Sequence, residues 1–328
     1  MQLSVLFLQL LALGVAALPT ATSERDIAPA EIAKRATITD VPGGYASLNG
    51  GTTGGKGGTT TTVSTYAQFT AAVTSDSAKV VIVSGTITQT ADQVKVGSNT
   101  SIIGKNSSAK LVGFGLLVKS KTNVIIRNLT IQKVLADNGD AIGVQLSTNV
   151  WIDHADLSSD RDHDKDYYDG LLDLTHAADY ITVSNTFFHD HWKASLVGHS
   201  DSNSAEDTGH LRVTYNNNYW YNINSRTPSI RFGTGHIYNS YFLDVADGIN
   251  TRDGAQVLVQ SNVWAGTVSK PLYSTDSGYA VASDNDFGGE SNEALAGTLT
   301  TVPYSYTLLG SSNVYAAVYG TAGATLSF

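Results

Sequence analysis

Six charged residues in the middle of this chain are placed where they could do chemistry together. Asp140 ends an Asn-Gly-Asp run, and Asp169 and Asp173 bracket Asp-Gly-Leu-Leu-Asp. Lys193 sits in Trp-Lys-Ala-Ser-Leu-Val-Gly, and Arg226 and Arg231 bracket Arg-Thr-Pro-Ser-Ile-Arg. Clustered carboxylates repel, and they persist as a group only with a cation or a proton between them. Oxygen-only donors select Ca2+ or Mg2+ over zinc or copper. Fixed positive charge beside such a cation suits an acidic polymer. The simpler alternatives are a turn role for any lone aspartate and a structural carboxylate partner for either arginine. Geometry adds two conditions. Four residues along a straight strand span roughly 13 Å, so Asp169 and Asp173 share an ion only if the chain bends near Gly170 or water bridges. Strict alternation turns Arg226 and Arg231 to opposite faces, but Pro228 interrupts strand pairing between them.

Other chemistries find less support. The chain has no cysteine, no Gly-x-Ser-x-Gly elbow and no phosphate loop. The acidic run from Asp160 to Asp166 fails as an EF-hand loop, with Lys165 where glycine is needed and Leu171 where glutamate is needed. It reads as a solvated insertion. His189 and His191 have no third ligand beside them and read as structural.

The elements that must position these side chains are short repeated strands. Val124–Ile131, Val150–Leu157, Ile181–Phe188, Val213–Trp220, Gly235–Phe242 and Val257–Trp264 share one phrase. Each opens with period-2 alternation, as a strand with one buried face should. The fifth place holds Asn128, His154, Asn185, Asn217, Asn239 or Ser261, and the eighth an apolar or aromatic residue. From one fifth place to the next the steps are 26, 31, 32, 22 and 22 residues. That spacing suits coils of a solenoid with loops of varying length on one side. Asparagine tolerates the left-handed backbone of a tight corner, so the fifth residues are expected to stack in a ladder. The expected fold is all-β, a right-handed parallel β-helix. A helix over Thr65–Val73, capped by Ser64, is expected to close its N-terminal end, and the tail from Ser274 to Phe328 to pack outside.

At 328 residues, with 31 glycines, 6 prolines and 15% charged residues, the composition fits one β-rich domain with many turns. Residues 1–17 read as a signal peptide and 18–35 as a propeptide ending in Lys34-Arg35, leaving 36–328 as the catalytic domain of a secreted, extracellular protein. A chain of this size can bury a core without disulfides. Asn99, Asn106 and Asn128 stand in glycosylation sequons, but a corner role explains Asn128 better. The net charge is −9, and residues 1–35 contribute three basic and three acidic groups, so it stays −9 without them. Nucleic acid is disfavoured as a partner, no stretch is long enough for a membrane span, and a monomer is expected.

Together these segments resemble polysaccharide lyase family 1, the calcium-dependent pectate lyases. Asn149-Val-Trp-Ile-Asp-His154 is similar to the family's WiDH segment, and the likeness is strongest from Lys121 to Val263. The resemblance implies β-elimination on de-esterified polygalacturonate (pectate), giving a C4–C5 unsaturated end. It implies Ca2+ held by Asp140, Asp169 and Asp173, Lys193 and Arg231 on substrate carboxylates, and Arg226 as the base that takes the C5 proton. Free arginine keeps its proton to above about pH 12, so an arginine base implies an alkaline optimum. One departure stands out. Many members carry an aspartate two residues before the one matching Asp140, where this chain has Asn138 beside Asp137. Three alternatives remain: a pectin lyase, which normally lacks the calcium set; a hydrolase, whose Asn-Thr-Asp and Asp-Asp strings are absent; and a non-catalytic wall-binding protein.

Overall fold

The computed structural model describes residues 36–328, so the signal peptide and propeptide expected over 1–17 and 18–35 lie outside the described residues. Within 36–328 the chain winds through three parallel sheets in turn. Sheet A has eleven strands, sheet B eight and sheet C nine. One coil runs Ile142–Gln145 in sheet C, Thr148–Asp153 in sheet A and Asp156–Ser158 in sheet B, then returns to sheet C at Leu172–Thr175. Each strand pairs in parallel with its equivalents in the coils before and after. This is the parallel β-helix expected from the repeat.

The phrase explains the coil residue by residue. Its first and third places point inward in sheet A, as Val150 and Ile152 or Val257 and Val259 do, without exposure. Its eighth place points inward in sheet B. There Phe188, Trp220, Phe242 and Trp264 form a near-parallel ring stack with centroids 4.0, 5.8 and 4.4 Å apart. Full burial of such a side chain contributes about 1.5–3 kcal/mol, and identical positions repeat it in every coil.

The fifth place is the corner between sheets A and B. Asn128, His154, Asn185, Asn217, Asn239 and Ser261 all take φ between 48° and 55°, the left-handed region. Their backbones form the stack, each N–H donating to the next coil, as from Asn128 to the Asp153 carbonyl and from Asn217 to the Tyr238 carbonyl. The side-chain ladder, however, is one residue later than expected. Asn218 Oδ1 accepts from Thr186 N at 2.8 Å, Asn262 Oδ1 from Ser240 N at 2.9 Å, and Asn285 Oδ1 from Asn262 N at 3.0 Å. Sixth-place side chains turn inside, where buried amides must find one another. Two fifth-place side chains hold the tail: Asn128 bonds Leu326 N and O, and Asn239 bonds Leu309 N and Thr307 O.

Two terminal expectations need correction. Thr65, not Ser64, caps the helix Tyr66–Val73, accepting from Gln68 N at 3.3 Å. Gln68 Oε1 in turn accepts from Ser64 N. Phe69 and Val73 of this helix enter the core. The outside tail is shorter than expected, because Tyr279–Ser283, Asn292–Glu293 and Leu295–Ala296 still pair as coil strands. Only residues after 297 run outside, through the helix Ser311–Val318 against sheet B and on to Leu326 at the Asn128 corner.

Asn128 lies within a sequon yet is fully buried, with its amide on Gly104 O, Leu326 O and Leu326 N. Asn128→Ala strands those groups and puts alanine at φ 55°. A loss of about 2–4 kcal/mol is expected, read from the urea midpoint. A loss below about 1 kcal/mol would show that the tail is not clamped there.

Candidate functional site

The loops that vary in length join sheet B to sheet C, and they carry the candidate residues onto the outer face of sheet C. Asp140 ends the loop before Ile142–Gln145, and Asp169 the loop before Leu172–Thr175. Asp173 is on the latter strand, Lys193 ends Phe187–Lys193, and Arg226 opens the turn before Ser229–Arg231.

Glycines let the acids converge. Asp173 pairs across the sheet with Gly143, which has no side chain to fill the space beside it. Asp140 folds over that gap, and a Cβ on Gly143 would lie 3.6 Å from Asp140 Oδ2. Gly170 N donates to Asp140 Oδ1 at 3.0 Å, and Gln93 Nε2 fixes the Asp140 carbonyl at 2.9 Å. A Cβ on Gly170 would stand 2.7 Å from Asp173 Oδ1 and 2.9 Å from Asp140 Oδ1. The two carboxylates therefore close on one point from neighbouring coils. The strand begins only at Leu172, so the chain is not extended from Asp169 to Asp173, and the bend required near Gly170 is present.

The electrostatics record this crowding. Withdrawal from water, with the charges of Asp173 and Asp169, pushes the Asp140 carboxyl up to about 9. Withdrawal from water pushes Asp173 up to about 7, against the pull of Arg226 and with the push of Asp169. Oxygen donors that repel each other this strongly fit a hard divalent cation. Among the described residues, no three His, Asp or Glu side chains close into a ready-made ligand cage. Asp137 is exposed in the short turn Ala136–Asn138.

The cations divide into two groups. Lys193 Nζ lies 3.0 Å from Asp166 Oδ1 and 3.9 Å from Asp169 Oδ1. Arg226 sits at φ 63° before the cis Thr227–Pro228 bond. Its charge acts on both Asp140 and Asp173. No ion pair to a described residue occupies its guanidinium, unlike those of Arg127, Arg212, Arg231 and Arg252. Arg231 is on the same sheet but further along. Its Nε meets Asp201 Oδ1 at 2.5 Å, and its Nη1 donates to Gly198 O at 2.9 Å. The structure thus brings Asp140 and Asp173 together, with the charges of Asp169, Lys193 and Arg226 acting on them, and leaves Arg231 held by an acidic loop.

Two features were weighed differently from sequence. The run from Asp160 to Asp166 is exposed in its middle but is anchored to the site. Tyr168 Oη donates to Asp160 at 2.9 Å, Trp192 Nε1 to His163 O at 2.8 Å, and Asp166 reaches Lys193. His191 is buried against Ser159 Oγ, with Nε2 lacking a partner. Burial pushes it down to about 4, with Lys193 and Arg226 adding to the fall. A neutral ring thus lies beside the two site cations. The only sequence signal for it was its place two residues before Lys193.

Comparison with known proteins decides the family. Residues 26–327 match the pectate lyase family model. The chain belongs to the pectate lyase family. Pectate lyase A of Aspergillus niger is 73% identical over 314 residues, covering 96% of this chain and 95% of that protein. Pectate lyase A of Emericella nidulans is 66% identical, covering 95% and 94%. Among solved structures, the pectate lyase of Bacillus sp. N165 in complex with trigalacturonate superposes with a TM-score of 0.79 at 36% identity, covering 86% and 98%. Pectate lyase members of this kind share the β-helix with this chain, and the Bacillus relative holds an oligogalacturonate.

Proposed function

We propose that this pectate lyase family member is a secreted enzyme that cleaves de-esterified polygalacturonate by β-elimination, with residues 36–328 as its catalytic domain. The observation that carries the reading is the convergence of the Asp140 and Asp173 carboxylates from neighbouring coils, under the charge of an Arg226 that has no ion pair to a described residue. The Bacillus relative with bound trigalacturonate supports the substrate class.

Asp140, Asp169 and Asp173 would hold Ca2+, which when bound to a uronate carboxylate withdraws charge and acidifies the C5 proton. The remaining work belongs to side chains. Lys193, whose ammonium lies 3.9 Å from Asp169 Oδ1, would bind the same carboxylate. Arg226, as a neutral guanidine at alkaline pH, accepts the C5 proton on a guanidine nitrogen. The electron pair of the broken C5–H bond forms the C4–C5 double bond, and the C4–O bond breaks with its pair on oxygen, which takes a proton from water as the next sugar leaves. Arg231 is suited to a bidentate grip on another uronate once free of Asp201.

Each contact needs ionised carboxylate, and a methyl ester removes both charge and bidentate bonding. Protein recovered from culture medium should therefore raise ultraviolet absorbance from polygalacturonate, with initial rates falling as ester content rises across a pectin series. Rates that climb toward full esterification would make it a pectin lyase. Chain shortening without absorbance would make it a hydrolase, and no shortening a binding protein.

A further inference from the structure

Arg231 and Arg252 are direct partners on neighbouring strands of sheet C. Their Cα atoms are therefore only about 4.8 Å apart, and two adjacent guanidinium groups repel. A single carboxylate oxygen resolves the conflict: Asp201 Oδ1 lies 2.5 Å from Arg231 Nε and 3.0 Å from Arg252 Nη2. Asp201 reaches them from outside, on the short turn Asp201–Asn203, with 58% of its side chain exposed.

Two further acids crowd the pair. Asp253 Oδ2 is 3.4 Å from Arg231 Nε, and Asp276 Oδ2 is 3.3 Å from Arg252 Nη2. Two cations thus face three carboxylates, and the patch repels an anionic polymer. Burial and the charge of Asp201 push the Asp253 carboxyl upward. Yet Arg252 Nε is buried without an acceptor. Asp253 Oδ2 is likewise buried without a donor among the described residues, so the cluster has one carboxylate too many in charge while a donor and an acceptor stay unmatched in geometry. The most exposed acid besides Asp276, and the only one touching both arginines, is Asp201.

The patch lies on the same face of sheet C as Asp173. Asp173 pairs with Leu196, and Leu196 with Ser229, two residues before Arg231 on the same face. Two strands across and two residues along place Arg231 roughly 12 Å from Asp173. We propose that Asp201 is an internal stand-in for a uronate carboxylate, occupying Arg231 and Arg252 in the free enzyme and giving way when the polymer binds. This rests on the pectate reading above and makes Asp201 a determinant of affinity rather than of chemistry.

The test begins with wild-type protein on polygalacturonate, where absence of unsaturated product would refute the pectate reading itself. Asp201→Asn keeps the shape and removes the charge, and Arg231 retains its bond to Gly198 O. With no internal competitor, KM should fall about two- to five-fold, the scale of an exposed ion pair, at unchanged kcat. Asp201→Glu should restore a KM near wild type. An unchanged KM, or a raised KM with a lowered melting temperature, would make Asp201 a bystander or a brace and overturn the proposal. Affinity electrophoresis in polygalacturonate gels reads the same competition without turnover. Retardation of Asp201→Asn equal to wild type would overturn it independently of the chemistry.

Discussion

Arg226→Ala is expected to lower kcat on polygalacturonate by about 10²–10⁴-fold, the usual contribution of a positioned acid–base group, with KM little changed. Lys193, Asp140 and Asp173 do not depend on Arg226 for their positions. Lys193 is held by Asp166, Asp140 by Gly170 N, and Asp173 by Leu196 N. The fold should be indifferent too, since no ion pair to a described residue would be broken. Arg226→Lys should fail almost as badly. It keeps the charge that faces Asp140 and Asp173, but a lysine ammonium is a point donor and cannot copy the planar guanidinium. Steady-state rates of unsaturated product measure both variants. Near-normal turnover in either would mean that the base lies elsewhere.

What could be read in advance followed the repeat. Fifth-place residues as different as Asn128, His154 and Ser261 adopt one left-handed corner, and a corner constrains residue type strongly enough to leave a periodic trace. The inward polar ladder escaped because Leu129 and Ala155 occupy the same sixth place as Asn218 and Asn262. Either an apolar contact or a buried amide pair satisfies an interior position, so residue type alone does not mark it. The aspartates and basic residues were visible as types. Their convergence depends on Gly143 and Gly170, whose role is the room they leave in three dimensions. Asp201 was invisible for a different reason. It lies in an insertion with no repeat position, and its partners are 30 and 51 residues away.

The second large effect concerns the cation. Treatment with a chelator should lower turnover by at least about 100-fold, since charge stabilisation by a metal supplies several kcal/mol, and added Ca2+ should restore it. Full activity after verified metal removal would refute the calcium reading. Two substitutions locate the site independently of turnover. Asp173→Asn removes a charge from the convergent pair and should weaken calcium binding measured by calorimetry without unfolding the coil, because Leu196 N can still donate to an amide oxygen. Gly170→Ala removes no ligand at all. Its new methyl would approach Asp173 Oδ1 and Asp140 Oδ1 within 2.7 and 2.9 Å, closer than carbon and oxygen can sit. The carboxylates must part, and the geometry that a hard cation needs goes with them. If calcium lies between these oxygens, the alanine variant should bind it as poorly as Asp173→Asn does. Unaltered calcium affinity in Gly170→Ala would place the ion away from this pair, even if the chelator result held.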